Sequence, residues 1–141
     1  MKNKQDLEKI ISFLDEHHVM SLATSDGNML SVCNLFYVYS KDMNSFVVAS
    51  SDDTKHIQDI NKNASIAGSV VLETKELGKI QGLQFRGKFL PLDDSSLKKL
   101  YYKAFPYALA MNPKLWQIKL KYLKMTDNKL GFGKKIIWKD N

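Results

Sequence analysis

The stretch Phe46-Val47-Val48-Ala49-Ser50-Ser51-Asp52-Asp53-Thr54-Lys55-His56-Ile57 holds the residue types with most to offer chemically. It starts as an apolar strand and ends as the first turn of a polar helix. A strand that stops where a helix starts leaves backbone N–H groups free at the helix N-terminus, all aimed one way. With the positive end of the helix dipole they form a site for a phosphate or another anion. Ser50 and Ser51 supply hydroxyls, Thr54 a further donor and Lys55 a full positive charge. On spacing alone the commoner reading is an ordinary helix cap, with Ser51, Asp52 or Asp53 capping and Lys55 solvated. Asp52 and Asp53 also oppose an anion unless their side chains turn away.

Elsewhere the residues with chemical potential are isolated. No serine-nucleophile elbow, Walker loop or dinucleotide fingerprint is present. Gly131-Phe132-Gly133-Lys134 is a G-x-G fragment that suits a flexible turn. Cys33 sits mid-strand among apolar residues, the setting of a core thiol and not of a nucleophile. His56 falls in a first helical turn, where the dipole opposes its protonation, and reads as a surface residue. His17 and His18 are adjacent, point in different directions and mark a helix end. One cysteine and three histidines are too few and too scattered for a structural zinc site. The chain offers no self-sufficient catalytic constellation, so an enzyme built on it would need a cofactor to supply reactivity.

The elements that must position these residues fit one domain, 1–141, long enough to bury roughly two-thirds of its unfolded surface. Apolar content is 44%, and no stretch approaches the ~20 apolar residues of a membrane-spanning helix. Met1 to Asp6 lead into an amphipathic helix and not into a signal core. The lone cysteine suits a reducing cytoplasm, the expected compartment. The net charge of +6 is almost wholly lysine, with Arg86 the single arginine, and much of it lies between Lys114 and Lys139. Scarce arginine argues against base-reading nucleic-acid binding, although a lysine-rich face would still attract anions or RNA.

Leu7, Ile10, Ile11 and Leu14 form one stripe of a helix over residues 4 to 16. Val19 to Thr24 reads as a strand, Ser25-Asp26-Gly27-Asn28 as a turn, and Met29 to Tyr39 as one long strand. Both faces of that long strand are apolar, with Asn34 the interruption, so it is expected to lie between two layers, or between a barrel interior and a partner. After the central strand and helix come a strand from Ile66 to Leu72 and a bent one from Lys79 to Leu92. Gly82 and Gly87 would allow its kink. Asp93 or Asp94 caps a helix that closes at Pro106. Leu115 to Tyr122 is a final strand with Trp116, Ile118, Leu120 and Tyr122 inward. About six strands and three helices, without steady alternation, make an α+β fold: a mostly antiparallel barrel with flanking helices.

The order of these elements, with Phe46–Ser51 leading into Asp53-Thr54-Lys55-His56-Ile57, Ile60 and Asn63, resembles the pyridoxamine 5′-phosphate oxidase-like, FMN-binding split barrels. The resemblance runs from Val19 to about Lys135. Gly82-Leu83-Gln84-Phe85-Arg86-Gly87, and the ending from Thr126 to Trp138, are similar to a bacterial subfamily of that group, the YhbP type. The resemblance implies that Lys55 and Thr54 stand where a basic pair grips the FMN phosphate, Thr54 keeping only a donor. Phosphate binding would then shift toward backbone amides and Ser50 or Ser51. It implies that the backbone of Asn34, Leu35 and Phe36, toward Tyr37, lines the flavin ring. A dimer partner would contribute Gln84 and Lys134. The substrate residues of the oxidase are not matched, since Thr126 and the Gly131–Lys135 run stand in their place.

The resulting expectation is a cytoplasmic, homodimeric FMN-dependent oxidoreductase of unknown substrate. Two alternatives stand beside it. One is haem binding or degradation, with His17, His18 or His56 as axial ligand. The other is a non-enzymatic module that binds an anion or RNA through the lysine-rich tail.

Overall fold

The computed structural model describes residues 4–140; Met1 to Asn3, read above as the lead into the first helix, lie outside the described residues. Eight strands form one antiparallel sheet, and four α-helices flank it. The elements are α1 (Lys4–Glu16), β1 (Val19–Ser25), β2 (Leu30–Phe36), β3 (Val38–Ser40), β4 (Ser45–Ala49), α2 (Lys55–Lys62), β5 (Ser65–Val71), β6 (Gln81–Pro91), α3 (Ser95–Ala104), α4 (Ala108–Met111), β7 (Leu115–Asp127) and β8 (Lys135–Lys139). The sheet order is β2-β1-β5-β6-β7-β4-β3, with β8 added against β7. The architecture is therefore α+β, a curled sheet of the split-barrel kind, with two more strands and one more helix than the sequence pattern separates.

The expected long strand from Met29 to Tyr39 divides at Tyr37. Residues before it pair with β1, residues after it pair with β4, and these are opposite ends of the sheet. Tyr37 makes the crossing: its N–H donates to the His18 carbonyl at 2.9 Å and its hydroxyl to the Leu14 carbonyl at 2.8 Å. Its ring is fully buried and meets Phe46 edge-on, and Phe46 in turn meets Phe85. Within a single protomer β2 is covered on one side only. Its odd residues Cys33 and Leu35 pack against the core, but Leu30, Val32 and Phe36 are 80%, 73% and 60% exposed.

The thirteen residues of β7 hold the sheet together. One edge pairs with β6 along its length; the other pairs with β4 over its first half and β8 over its second. Arg86 pairs with Tyr122 and Gly87 with Leu120, so Lys121 is an extra residue, a bulge. The bulge reverses the phase of β7. Trp116, Ile118 and Leu120 point inward before it, Leu123 and Met125 after it, and Tyr122 lies under the Arg86 guanidinium, not in the core as its parity suggested.

Gly87 is what permits the bulge, because a Cβ there would overlap the Lys119 carbonyl. Gly68 permits a close approach of β5 to Phe85 and the Ser21 carbonyl. Gly82, read from sequence as a second kink, has only ordinary contacts at 3.8 Å. Gly87→Ala should therefore cost roughly 2–3 kcal/mol, and Gly82→Ala less than about 1 kcal/mol, in chemical denaturation. Equal costs would mean that the bulge does not depend on the missing side chain.

Candidate functional site

Phe46, Val47 and Val48 of β4 are fully buried, which fixes where the strand ends. That end is pinned to β7. The Ser50 N–H donates to the Lys114 carbonyl at 3.0 Å, and the Trp116 indole N–H donates to the Ser50 carbonyl at 3.0 Å. The chain then turns through Ser51 to Asp53, and α2 begins with Thr54 in extended conformation at the N-cap position. None of the expected capping residues caps it. The Thr54 hydroxyl donates instead to the Ser51 carbonyl at 2.8 Å, and Asp52 takes the Lys114 ammonium at 2.8 Å. The first-turn amides of α2 are thus left without a side-chain cap, at the positive end of the dipole.

His56 is not the surface residue its position suggested. It is 9% exposed, and its Nε2 lies 2.7 Å from the Ser50 hydroxyl and 3.4 Å from that of Thr54. Burial lowers its pKa, against the opposing pull of Asp59, so it is held as a neutral imidazole.

The Lys55 ammonium bonds to the Asp59 carboxylate one turn along α2 and lies 3.8 Å from Asp26. Asp59 is buried and also accepts the Thr24 hydroxyl at 2.8 Å. Asp26, in the β1–β2 turn, accepts the N–H groups of Asn28 and Met29 at 2.9 and 2.8 Å. Lys55 therefore ties α2 to β1 and its turn, and its charge is directed down the helix, away from Ser50 and Ser51. The hydrogen bonds from Lys55 and Thr24 hold the Asp59 carboxyl below the usual range, and the bond to Asp59 raises the Lys55 ammonium.

The other expected site residues do not join this cluster. Asn34 accepts the Ser21 hydroxyl at 2.9 Å on β2, and Leu35 beside it is half-buried. Phe36 is exposed and lies 5.8 Å from the Phe105 ring. Gln84 is exposed on β6 opposite Lys124, and Lys134 is exposed in the turn before β8. Burial raises the Cys33 thiol, which keeps it protonated and unreactive. Sequence reasoning missed Lys114, Trp116, Thr24 and Asp59. Only Asp59 left a local trace, the i,i+4 spacing from Lys55; the others arrive through strand pairing.

The donors present suit a phosphate in part. Uncapped amides and the Ser51 hydroxyl lie at the start of α2, whereas Lys55 reaches it only by leaving Asp59 and Lys114 only by leaving Asp52. A cavity of about 260 Å³ opens between the end of α1, β3 and the end of α3, lined by Asp15, His17, His18, Tyr37 and Phe105 among others. His17 Nδ1–H donates to the Phe13 carbonyl at 2.8 Å, which leaves Nε2 as a lone-pair donor. Among the described residues no helix is long and apolar enough to cross a membrane.

The buried carboxylate sets a pH dependence. Its folded pKa lies below the unfolded value, so its stabilisation is present above about pH 4 and lost as pH falls through the folded value. Asp59→Asn should flatten the loss of stability between about pH 5 and pH 3 relative to the unsubstituted protein. Lys55→Met should destabilise at pH 7, and adding Asp59→Leu should restore stability, because the lone carboxylate is the costly state. Thermal melts across that range check both.

No family model matches the chain. It is similar over its whole fold to a haem-binding protein from Mycobacterium smegmatis, with a TM-score of 0.75 and 13% identity over 99% of this chain and 59% of that one. A FAD-binding protein from Mesorhizobium loti gives a TM-score of 0.70 and 15% identity over 84% of this chain and 90% of that one. Identities this low establish the split-barrel fold alone. In sequence, a UPF0306 protein from Photorhabdus laumondii is 33% identical over 141 residues, 98% of this chain and 99% of its own length. Identity of that extent, running almost end to end, places the chain in the UPF0306 family.

Proposed function

We propose that the chain is a cofactor-binding split-barrel protein that holds FMN at the start of α2 and acts through it as an oxidoreductase. The observation that carries this reading is the uncapped first turn of α2, set at the end of a fully buried strand. Amides of that turn would receive the phosphate, with the Ser51 hydroxyl and Lys114 as further donors. The Ser50–His56 pair would stay neutral beside it, and the rigid β4 end would fix its position. FMN, when bound, supplies one- and two-electron transfer; the protein supplies binding, orientation and exclusion of water. The FAD-binding relative of similar fold is in keeping with a flavin.

The apolar stripe of Leu30, Val32 and Phe36 supports a homodimer, since contiguous exposed apolar surface marks an interface. In such a dimer Asn34, Leu35 and Phe36 would border the ring, with Gln84 and Lys134 as the partner's contribution. A second reading, haem, is favoured by the free Nε2 of His17 at the α1 cavity and by the haem-binding relative. His56 is a poor axial ligand because Ser50 occupies its Nε2.

The absorption spectrum of freshly purified protein, followed by titration, separates these readings. FMN should bind at least about tenfold more tightly than riboflavin, which lacks the phosphate, and Ser51→Asp should abolish that difference. Equal affinities would remove the phosphate site from α2. A Soret shift on adding haem that is lost in His17→Ala would replace the flavin reading with haem. Val32→Lys/Phe36→Lys should turn a dimer into a monomer in sedimentation; a monomeric native protein would end the dimer proposal.

A further inference from the structure

The strand register gathers charge on a face from which the cofactor reading takes only Gln84 and the neighbouring Lys134. Arg86 and Lys88 on β6, Lys119, Lys121 and Lys124 on β7, and Lys135 and Lys139 on β8 all lie on the outer side of the sheet. Asp140 pairs with Lys121 at 3.1 Å; among the described residues no other carboxylate forms an ion pair with any of these seven. Of the 21 basic and 15 acidic side chains in the sequence, seven and one are accounted for here, which leaves 14 of each elsewhere. The residues named on this face therefore carry a net charge of +6.

Stability does not call for such an arrangement. Lysines on β8 are explained by its position at an edge, where charge blocks pairing with another chain. β6 and β7 are interior strands, and there Lys88 stands directly opposite Lys119, a like-charge pair that weakens the sheet. A membrane surface fits poorly. Among the described residues, none of the large apolar side chains exposed to solvent lies on β6, β7 or β8, so the face has nothing to insert. Arg86 is exposed with its Cζ over the Tyr122 ring, 4.1 Å from the ring centre, and guanidinium groups of this kind are surfaces on which bases stack. The lysines are point charges without arginine's fork, suited to phosphates and not to base edges.

We propose that the outer face of β6, β7 and β8 binds the phosphate backbone of single-stranded nucleic acid without sequence preference. Gln84, which the cofactor reading uses, lies within this face opposite Lys124, whereas Lys88 and Lys119 lie at its far end. Fluorescence anisotropy of the full chain with oligonucleotides of about 16 nucleotides, one of deoxythymidine and one of uridine, tests it. Five phosphate contacts predict that affinity falls about 100-fold between about 50 and 200 mM salt. Lys88→Gln/Lys119→Gln/Lys139→Gln should weaken binding at least about tenfold, while Lys98→Gln/Lys99→Gln/Lys103→Gln on α3 should leave it unchanged. Lys119→Gln alone should move affinity in the same direction by less, without loss of thermal stability. Preference between the two oligonucleotides tells RNA from DNA. No binding at the lower salt, equal weakening by the α3 variant, or binding to phosphatidylserine vesicles in place of either oligonucleotide would overturn the proposal.

Discussion

One residue joins the two ends of the sheet, and the rest of the molecule is arranged around that junction. A chain segment that serves both ends must leave one set of hydrogen bonds and enter another within a single residue. Tyr37 does so with its N–H on His18 and its hydroxyl on Leu14, so the break costs no unpaired buried group. Both acceptors lie in or just after α1. The helix is thus both a lid over the core and the anchor of the closure. Two consequences reach the candidate site. β3 and β4 are delivered to the far side of β7, where Trp116 and Lys114 clamp the residue after β4. β2 is left at the other end with one face uncovered.

At the start of α2 the arrangement follows from a buried charge. Asp59 is almost wholly withdrawn from solvent, and an ionised carboxylate there needs donors. Lys55 and Thr24 supply them, and through Lys55 the network reaches Asp26 in the β1–β2 turn. The lysine that sequence spacing offers to an anion is therefore engaged in positioning the helix. The other positive charge near the first turn is Lys114, held by Asp52 and brought in by β4–β7 pairing from 59 positions along the chain. A phosphate that drew Lys55 away would leave Asp59 with Thr24 alone. Amides and hydroxyls carry no such cost, which is why they and not the lysine carry the phosphate reading.

What the sequence makes legible follows the range of the forces involved. The α1 stripe, the alternation of Leu83, Phe85 and Phe89 on β6 and the Asp94 cap of α3 are local, and each forms as its pattern implies. The break at Tyr37 is not local. Both parities from Leu30 to Tyr39 are apolar, so periodicity cannot say which face is covered or where the strand changes partner. Tyr122 is misplaced by parity because one extra residue, Lys121, inverts the phase; Gly87, the residue that tolerates the bulge, lies on the opposite strand. His56 is buried because β4 and β7 converge on Ser50, a fact absent from its own helix. The family resemblance located the strand-to-helix turn correctly, and the packing decided which of its side chains remain free.

Two outer surfaces of the barrel are left without a counterpart in the fold, and they differ in kind. The β2 face is apolar and lies at the end of the sheet, where cover by a second copy would remove both exposed hydrocarbon and an open strand edge. The β6–β7–β8 face is basic, and two of its three strands, β6 and β7, are already paired on both sides along most of their length. No additional strand can satisfy those two, and burying the lysines of this face against a second identical face would oppose like charges. An apolar face gains by exclusion of water, whereas a face of exposed lysines gains by releasing counterions from a polyanion. The first is suited to a permanent partner and the second to one that comes and goes with ionic strength. The same closure at Tyr37 that builds the core thus sets the two surfaces on different strands of the sheet.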